Sequence, residues 1–294
     1  MDLVVAAKAA VIGIVEGLTE FLPISSTGHI IITERLLRFQ DPNDVFAVVI
    51  QLGAILAVCW YYRARLWSVV AGLRGDPASR RFAWSVTLAF LPAAVFGALL
   101  NDWLEVHVFD ERALAVISAT MIIGGILILL IERRTAKPAY VDSASLPWKT
   151  ALGIGLFQVL AMIPGVSRSG ASILGGMLIG VERKAATEFS FFLAIPIMMG
   201  ASTLKLAKHL PDLTAARMEG IAVGFAVSFI VALAVVHWLL RFVAGHSFAG
   251  FGWYRIVAGL ALAAALWLGW IDSALPTHAA GPAAVPALPG EPVP

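Results

Sequence analysis

Charge is what this sequence has least of. Only 14% of its 294 residues are Asp, Glu, Lys or Arg, 60% are hydrophobic, and the mean hydropathy is +0.87. A water-soluble domain of this length carries far more charge, so that class is excluded. The net charge of +2 is small, and the basic residues form short clusters between apolar runs, which excludes a nucleic-acid partner. With one cysteine, Cys59 in an apolar run, no intramolecular disulfide can form and no redox compartment is indicated. Asp2, Lys8 and Glu16 interrupt the first apolar run, and no small-residue cleavage site precedes a polar start, so the first helix is expected to stay. What remains is an integral membrane protein.

Six apolar runs are long enough to cross about 30 Å of hydrocarbon as helices: Val45 to Tyr62, Trp84 to Leu100, Ala113 to Ile131, Ala185 to Leu206, Gly220 to Leu240 and Trp253 to Ile271. Two more regions, Leu3 to Leu37 and Thr150 to Val181, are apolar but interrupted near the middle by Pro, Gly and hydroxyl residues. Irregular backbone at membrane depth survives only where protein or a water-filled cavity satisfies its amides. These two regions are therefore expected to be re-entrant hairpins lining one cavity.

The interruptions match each other. A shift of 142 residues places Gly13 on Gly155, Glu16 on Gln158, Ser25 on Ser167, Thr27 on Ser169 and Gly28 on Gly170. Each hairpin precedes three spans, and three crossings reverse the starting side of the second copy. The expected fold is an all-α polytopic membrane protein of six transmembrane helices and two re-entrant hairpins in an inverted-topology repeat. One domain would cover residues 1–272, with repeats at about 1–131 and 150–272. The Pro/Ala-rich residues 273–294, His278 among them, would form a disordered tail.

Orientation follows from the loops. Arg63, Arg65, Arg74, Arg80 and Arg81 crowd one, and Arg133, Arg134, Lys137 and Lys149 another. The loop between them carries Asp102, Glu105, Asp110 and Glu111 against Arg112. Basic loops belong in the cytoplasm, which puts both termini and the mouth of the first hairpin outside. In the second half Lys208 and Arg217 fall outside against Arg241 inside, which runs against this rule.

The chemistry concentrates at the interruptions. Glu16 and Glu20 sit one helical turn apart on one face. A buried like-charge pair stays ionised when a cation lies between, and without clustered His or Cys an oxygen-ligated Mg²⁺ or Ca²⁺ is the natural choice. Pro23 ends that helix, and Ser25, Ser26, Thr27 and Gly28 precede a second apolar segment beginning near His29. A hydroxyl-rich loop opening a helix offers N–H groups to an anion, although taken alone it is an ordinary cap. The second interruption, Pro164-Gly-Val-Ser-Arg-Ser-Gly170, repeats the pattern around Arg168, with no Asp or Glu in its own loop. A guanidinium there suits two phosphate oxygens, or else pairs with Glu16, Glu20 or carbonyls across the hairpins.

If the loops meet, the inventory fits phosphate ester or anhydride chemistry. Ser26 would attack phosphorus with Glu20 assisting, Arg168 and loop amides would hold the equatorial oxygens, and His29 would protonate the leaving group or itself attack. Direct attack by metal-activated water is equally compatible. Arg255, in Trp-Tyr-Arg opening the last span, is either a second phosphate ligand or an interfacial anchor.

At these residues the sequence resembles the undecaprenyl pyrophosphate phosphatase family of bacitracin-resistance type. EGLTEFLPISSTGH matches that family's acidic motif and PGVSRSGAS its arginine motif. The similarity continues through VIQLGAILAV and EFSFFLAIPIMMGA, leaving out only the tail. The resemblance implies removal of the terminal phosphate from the C55 isoprenoid diphosphate, a polyprenyl lipid substrate drawn from the bilayer, to recycle the carrier for cell-wall synthesis. It also implies a divalent cation at Glu16 and Glu20, a bacterial cytoplasmic-membrane location with the site facing the periplasm, and an allowance for a homodimer. The resemblance carries function onto Glu16, Glu20, Ser26, Thr27, His29, Ser167, Arg168 and Arg255. Together with the reading of the loops, the expected catalytic residues are Glu16, Glu20, Ser26, His29 and Arg168, and the expected phosphate contacts are Ser25, Thr27, Gly28, Ser167, Arg168, Ser169, Gly170, Ser172 and Arg255. Where the family commonly has Thr, Ser172 retains a hydroxyl.

Two rivals are set against this reading. Inverted repeats with broken helices also mark transporters, and a lipid-phosphate flippase needs similar anion ligands but no nucleophile. A phosphatidic-acid-type phosphatase shares Ser-Gly-His and Ser-Arg fragments, yet no histidine follows Arg168 until His209, which excludes it.

Overall fold

The structure is a computed structural model that describes residues 3–41, 44–107, 113–133, 137–209 and 215–271. The expected tail lies outside those residues. The described chain is helical, and its one extended contact is an isolated bridge between Tyr140 and Val181. The first hairpin is α1 (Leu3–Thr19) and α2 (Ser26–Leu37), followed by α3 (Val45–Tyr61), α4 (Arg63–Gly72), α5 (Pro77–His107) and α6 (Ala113–Glu132). The second is α7 (Trp148–Val159), a 3₁₀ turn at Leu160–Met162 and α8 (Arg168–Leu178), followed by α9 (Arg183–Lys208), α10 (Ala215–Val243) and α11 (Ala249–Trp267).

Five helices are long and apolar enough to cross a membrane among the described residues, and a sixth crossing is counted when α3 and α4 are taken together. The apolar run expected to end at Tyr62 does end there. The chain then turns by 72° into α4, which the run did not foretell. Arg63, Arg65, Trp67 and Ser68 are exposed along α4, the composition of a helix lying at an interface. Helix α5 begins at Pro77, seven residues ahead of the apolar run, because its start is held by a cap rather than by hydrocarbon. Asp76 accepts from the Ala78 N–H (3.1 Å), the Ser79 N–H (2.9 Å) and the Ser79 hydroxyl (2.6 Å), with proline at the first helical position.

The halves interlock. The first hairpin's α1 lies along α10 of the second half, and α7 of the second hairpin lies along α5 of the first. Helix α6 packs on α11 and α3 on α9, each pair joining one half to the other. Lipid supplies no hydrophobic drive between helices, so close backbone approach carries these contacts. A Cβ on Gly13 would stand 2.5 Å from the Gly224 carbonyl oxygen, and one on Gly17 2.8 Å from that of Ser228. Between α6 and α11 the Ser118 hydroxyl donates to the Gly259 carbonyl at 2.8 Å. At one end Glu132 receives Arg183 as a two-pronged ion pair and also accepts the Phe248 N–H at 2.8 Å, joining α6, α9 and the start of α11. The main core, around Phe21, Phe189, Phe191 and Phe248, encloses the first interruption, with Phe21 edge-on to Phe191 at 5.3 Å.

Candidate active site

Both interruptions are present, but α1 ends four residues before Pro23, which puts Glu20 in the turn rather than on the helix with Glu16. Helix α1 ends at Thr19, whose hydroxyl bonds back to the Val15 carbonyl, and residues 20–24 form a turn. Ser25 then takes φ 74° and ψ 92°, rare for a residue with a side chain, and α2 begins at Ser26. In the second hairpin Gly165 adopts φ 81°, which glycine permits. Ser167 caps α8 by accepting the Gly170 N–H at 3.1 Å.

The two turns touch. Arg168 donates from Nη2 to Glu20 Oε1 at 3.1 Å and from Nη1 to the Ser190 carbonyl at 3.1 Å, and its guanidinium lies over the Phe21 ring. The Ser26 hydroxyl donates to the other Glu20 oxygen, Oε2. Thus one carboxylate accepts the hydroxyl from its own hairpin and the guanidinium from the other. Glu16, a turn back on α1, is 1% exposed, and its Oε1 has no hydrogen-bond partner. The Arg168 Nε is likewise buried and unpartnered.

Glu20, Ser26 and Arg168 open into one cleft, whose polar lining is completed by Ser25, Thr27, Ser167 and Gln51, while Glu16 lies buried outside that lining. Its apolar walls include Ala161 and Val166, with Ile197, Met198 and Ala201 from α9. Gln51 and the α9 residues sit toward the ends of α3 and α9 that the Asp44–Lys205 ion pair (2.8 Å) joins. The cleft therefore faces away from Arg63 and Arg65, at the other end of α3. A broader groove between α3 and α10, lined by Trp60, Tyr61, Arg63 and His237 among others, contains no group from either hairpin.

Five expected phosphate ligands sit elsewhere. Gly28 is buried against Ile117 and Met121 of α6. Ser169 is fully buried, and its hydroxyl donates to the Leu22 carbonyl at 2.9 Å. Ser172, also buried, bonds the Arg168 carbonyl and the Ser190 hydroxyl. Gly170 is buried with its N–H on Ser167. Arg255 is 3% exposed and does not line the cleft. Its guanidinium donates to the carbonyls of Pro23 (3.2 Å), Gly165 (3.0 Å), Thr120 (3.0 Å) and Met121 (3.3 Å). One cation so holds both turns and α6, and the Thr120 hydroxyl adds a bond to the Pro164 carbonyl. His29 bonds the Ser25 carbonyl at 2.7 Å and the Tyr254 hydroxyl at 2.6 Å, and it does not line the cleft.

Gln51, Ser190 and Tyr254 were not foreseen. Gln51 carried a signal, being the one amide in the run VIQLGAILAV. Ser190 and Tyr254 carried none, since an isolated hydroxyl in a span reads as filler until its partner is known. Gln158, which the 142-residue shift places on Glu16, is 2% exposed with neither amide atom hydrogen-bonded.

Among the described residues no three His, Cys, Asp or Glu side chains converge as a metal cage. Glu16 and Glu20 form a two-carboxylate set with one orphaned oxygen. That suits a hard cation such as Mg²⁺, which keeps several waters and takes phosphate oxygens as further ligands.

Comparison with known proteins identifies relatives along nearly the whole chain. The family described as "Bacitracin resistance protein BacA" matches residues 9–261. A Laribacter hongkongensis protein named undecaprenyl-diphosphatase is 50% identical over 275 residues, covering 92% of this chain and 99% of that one. Undecaprenyl-diphosphatase 2 of Rhodospirillum rubrum is 50% identical over 274 residues with the same coverage. The Cupriavidus metallidurans undecaprenyl-diphosphatase is 45% identical over 293 residues, again covering 92% and 99%.

Proposed function

This chain belongs to the bacitracin resistance protein BacA family, and from that premise we propose that it hydrolyses undecaprenyl diphosphate to undecaprenyl phosphate and inorganic phosphate. The observation that carries the reading is the Glu20 carboxylate, which accepts the Ser26 O–H and the Arg168 N–H together. A transporter needs an anion ligand but has no use for a hydroxyl aimed at a carboxylate.

In the proposed reaction the Ser26 oxygen attacks the terminal phosphorus as Glu20 takes its proton, a role worth about 10²–10⁴ in rate. The bond from that phosphorus to the bridging oxygen breaks, and its electron pair leaves with undecaprenyl phosphate. Glu20 then gives that proton to the departing phosphate oxygen and is again free to act as a base. A water attacks the phosphorus of the Ser26 phosphoester as Glu20 takes its proton, the bond from phosphorus to the Ser26 oxygen breaks, and Glu20 returns the proton to that oxygen as inorganic phosphate leaves. Arg168 swings its N–H groups, including the unpartnered Nε–H, onto the equatorial oxygens, where fixed donors count most. Ser25 and Thr27 line the same cleft, and their hydroxyls, with the start of α2 at Ser26, would face the same charge. A divalent cation held by Glu16 and Glu20 would neutralise phosphate charge. The apolar walls let the prenyl chain remain in hydrocarbon while its head group enters the cleft.

The basic α4 end marks the cytoplasmic side in this reading, so the cleft opens outward from a bacterial inner membrane. The residues that line the cleft all come from one chain.

The test is phosphate release from C55 diphosphate by purified protein in lipid nanodiscs, with Ser26→Ala and Arg168→Ala beside it. Turnover by the parent and its loss in both variants is expected. Tight binding of the lipid without release of phosphate overturns the reading in favour of a carrier.

A further inference from the structure

The sequence leaves His29 open as a nucleophile or proton donor, and the geometry points elsewhere. We propose that His29 is a positioning residue, a strut anchored by Tyr254 that fixes the turn presenting Ser26, and that it neither attacks phosphorus nor moves a proton in turnover. The inference rests on the phosphatase reading above and deepens it.

The hydrogen-bond directions are fixed by chemistry. The Ser25 carbonyl can only accept, so His29 Nδ1 carries the hydrogen at 2.7 Å. In the neutral ring the lone pair is then on Nε2, where the Tyr254 hydroxyl donates at 2.6 Å. Both nitrogens are thereby committed. The rings of His29 and Tyr254 also stack, with centroids 5.6 Å apart and planes 13° from parallel. The strut spans hairpin and last helix, residues 225 apart in sequence.

The turn needs such support. Ser25 holds φ 74° without being glycine, a conformation that costs about 1–3 kcal/mol and persists only where its surroundings over-determine it. The Ser25 carbonyl belongs to the peptide that leads into Ser26, so its orientation sets where the Ser26 hydroxyl points. Tyr254 and Arg255 are consecutive on α11. One reaches Ser25 through His29, and the other binds the Pro23 carbonyl directly. The turn is thus gripped on both sides by one short stretch of the opposite half.

Two mild substitutions test this. Tyr254→Phe keeps the stacked ring and removes the donor. His29→Asn keeps a nitrogen near the Nδ1 position for the Ser25 carbonyl but cannot titrate or reach Tyr254. Each is expected to lower kcat about tenfold through misplacement of the nucleophile, with KM within about twofold. The limbs of the pH–rate profile should stay in place, and the double variant should be no slower than the slower single, because both remove one contact. If His29→Asn abolishes a limb or costs a thousandfold or more, His29 takes part in the chemistry and the strut is wrong. Unchanged kcat in Tyr254→Phe overturns it too. Should His29→Asn fail to fold, His29→Gln and Tyr254→Phe carry the test. A parent protein that releases no phosphate refutes the phosphatase reading itself, whereas an active parent with any of the overturning results refutes only the strut.

Discussion

Arg168 Nη2 and Glu20 Oε1 lie 3.1 Å apart although 148 residues separate them in the chain. Each comes from a different re-entrant hairpin, and each is almost buried, at 13% and 4% side-chain exposure. The second hairpin contains no carboxylate of its own for the Arg168 charge. The contact therefore ties assembly of the two halves to assembly of the cleft.

Removing one member of that pair strands the other. Glu20→Gln should lower phosphate release about 10²–10⁴-fold through loss of the proton acceptor. It should also destabilise the protein by roughly 3–5 kcal/mol by leaving a buried cation uncompensated. A double variant, Glu20→Gln with Arg168→Met, is expected to recover much of the melting temperature and none of the activity. Thermal unfolding in detergent beside a phosphate assay distinguishes the two effects.

Arg255→Lys retains the charge but loses the planar fork. One ammonium cannot reach the four carbonyls now served, and each buried carbonyl left bare costs about 1–3 kcal/mol. A lower melting temperature and a lower kcat are expected together. A raised KM at unchanged stability would instead mark Arg255 as a phosphate ligand.

The crossing of α1 and α10 predicts a sharp contrast between two glycines. Gly13→Ala places a methyl 2.5 Å from the Gly224 carbonyl oxygen and should cost about 1–3 kcal/mol while displacing the helix that carries Glu16 and leads into Glu20. Gly97→Ala meets nothing within 4 Å and should leave stability and activity unchanged. Equal melting curves for the two variants would refute the close approach.

Chelation of divalent cations should abolish phosphate release, and Mg²⁺ or Ca²⁺ should restore it. Glu16→Gln is expected to raise the cation concentration for half-maximal activity by more than the roughly tenfold that even an outer-shell change causes. Full activity in excess chelator would remove the cation from the proposal.

Asp76 gives a pH signature away from the cleft. Hydrogen bonds from the Ser79 hydroxyl and the Ala78 and Ser79 amides hold its carboxyl below the ordinary value of 3.8. A carboxyl depressed in the folded state stabilises fully above its unfolded value and loses that contribution as pH falls through the folded one. The start of α5 should therefore loosen in acid, seen as faster amide exchange at Ala78 and Ser79 below about pH 4, and Asp76→Asn should flatten that dependence.

Much of this was legible in the residues because membrane burial enforces simple rules. Pro23 and the Pro164-Gly165 pair announced the two interruptions, since apolar runs rarely carry such residues without a cavity. Arg168 announced a partner, since an intramembrane guanidinium cannot stand alone, and Glu20 is that partner. The α4 bend was hidden because Arg63 and Arg65 end the apolar pattern whether the chain leaves the bilayer or turns along it. The hydrogen bonds of Arg255 were hidden for a related reason. Its neighbours Trp253 and Tyr254 suggested an aromatic belt, while its real partners are carbonyls that no sequence pattern marks. His29 looked catalytic because imidazole chemistry is familiar, and only the Tyr254 hydroxyl shows how it is occupied.

The exchange of helices between halves has a consequence for genetics. Cut in the connection before Trp148, neither fragment would own a working centre, since one holds the carboxylates and serine and the other the arginine clamps. Co-expressed fragments should nevertheless complement, because α1 still finds α10 and α7 still finds α5.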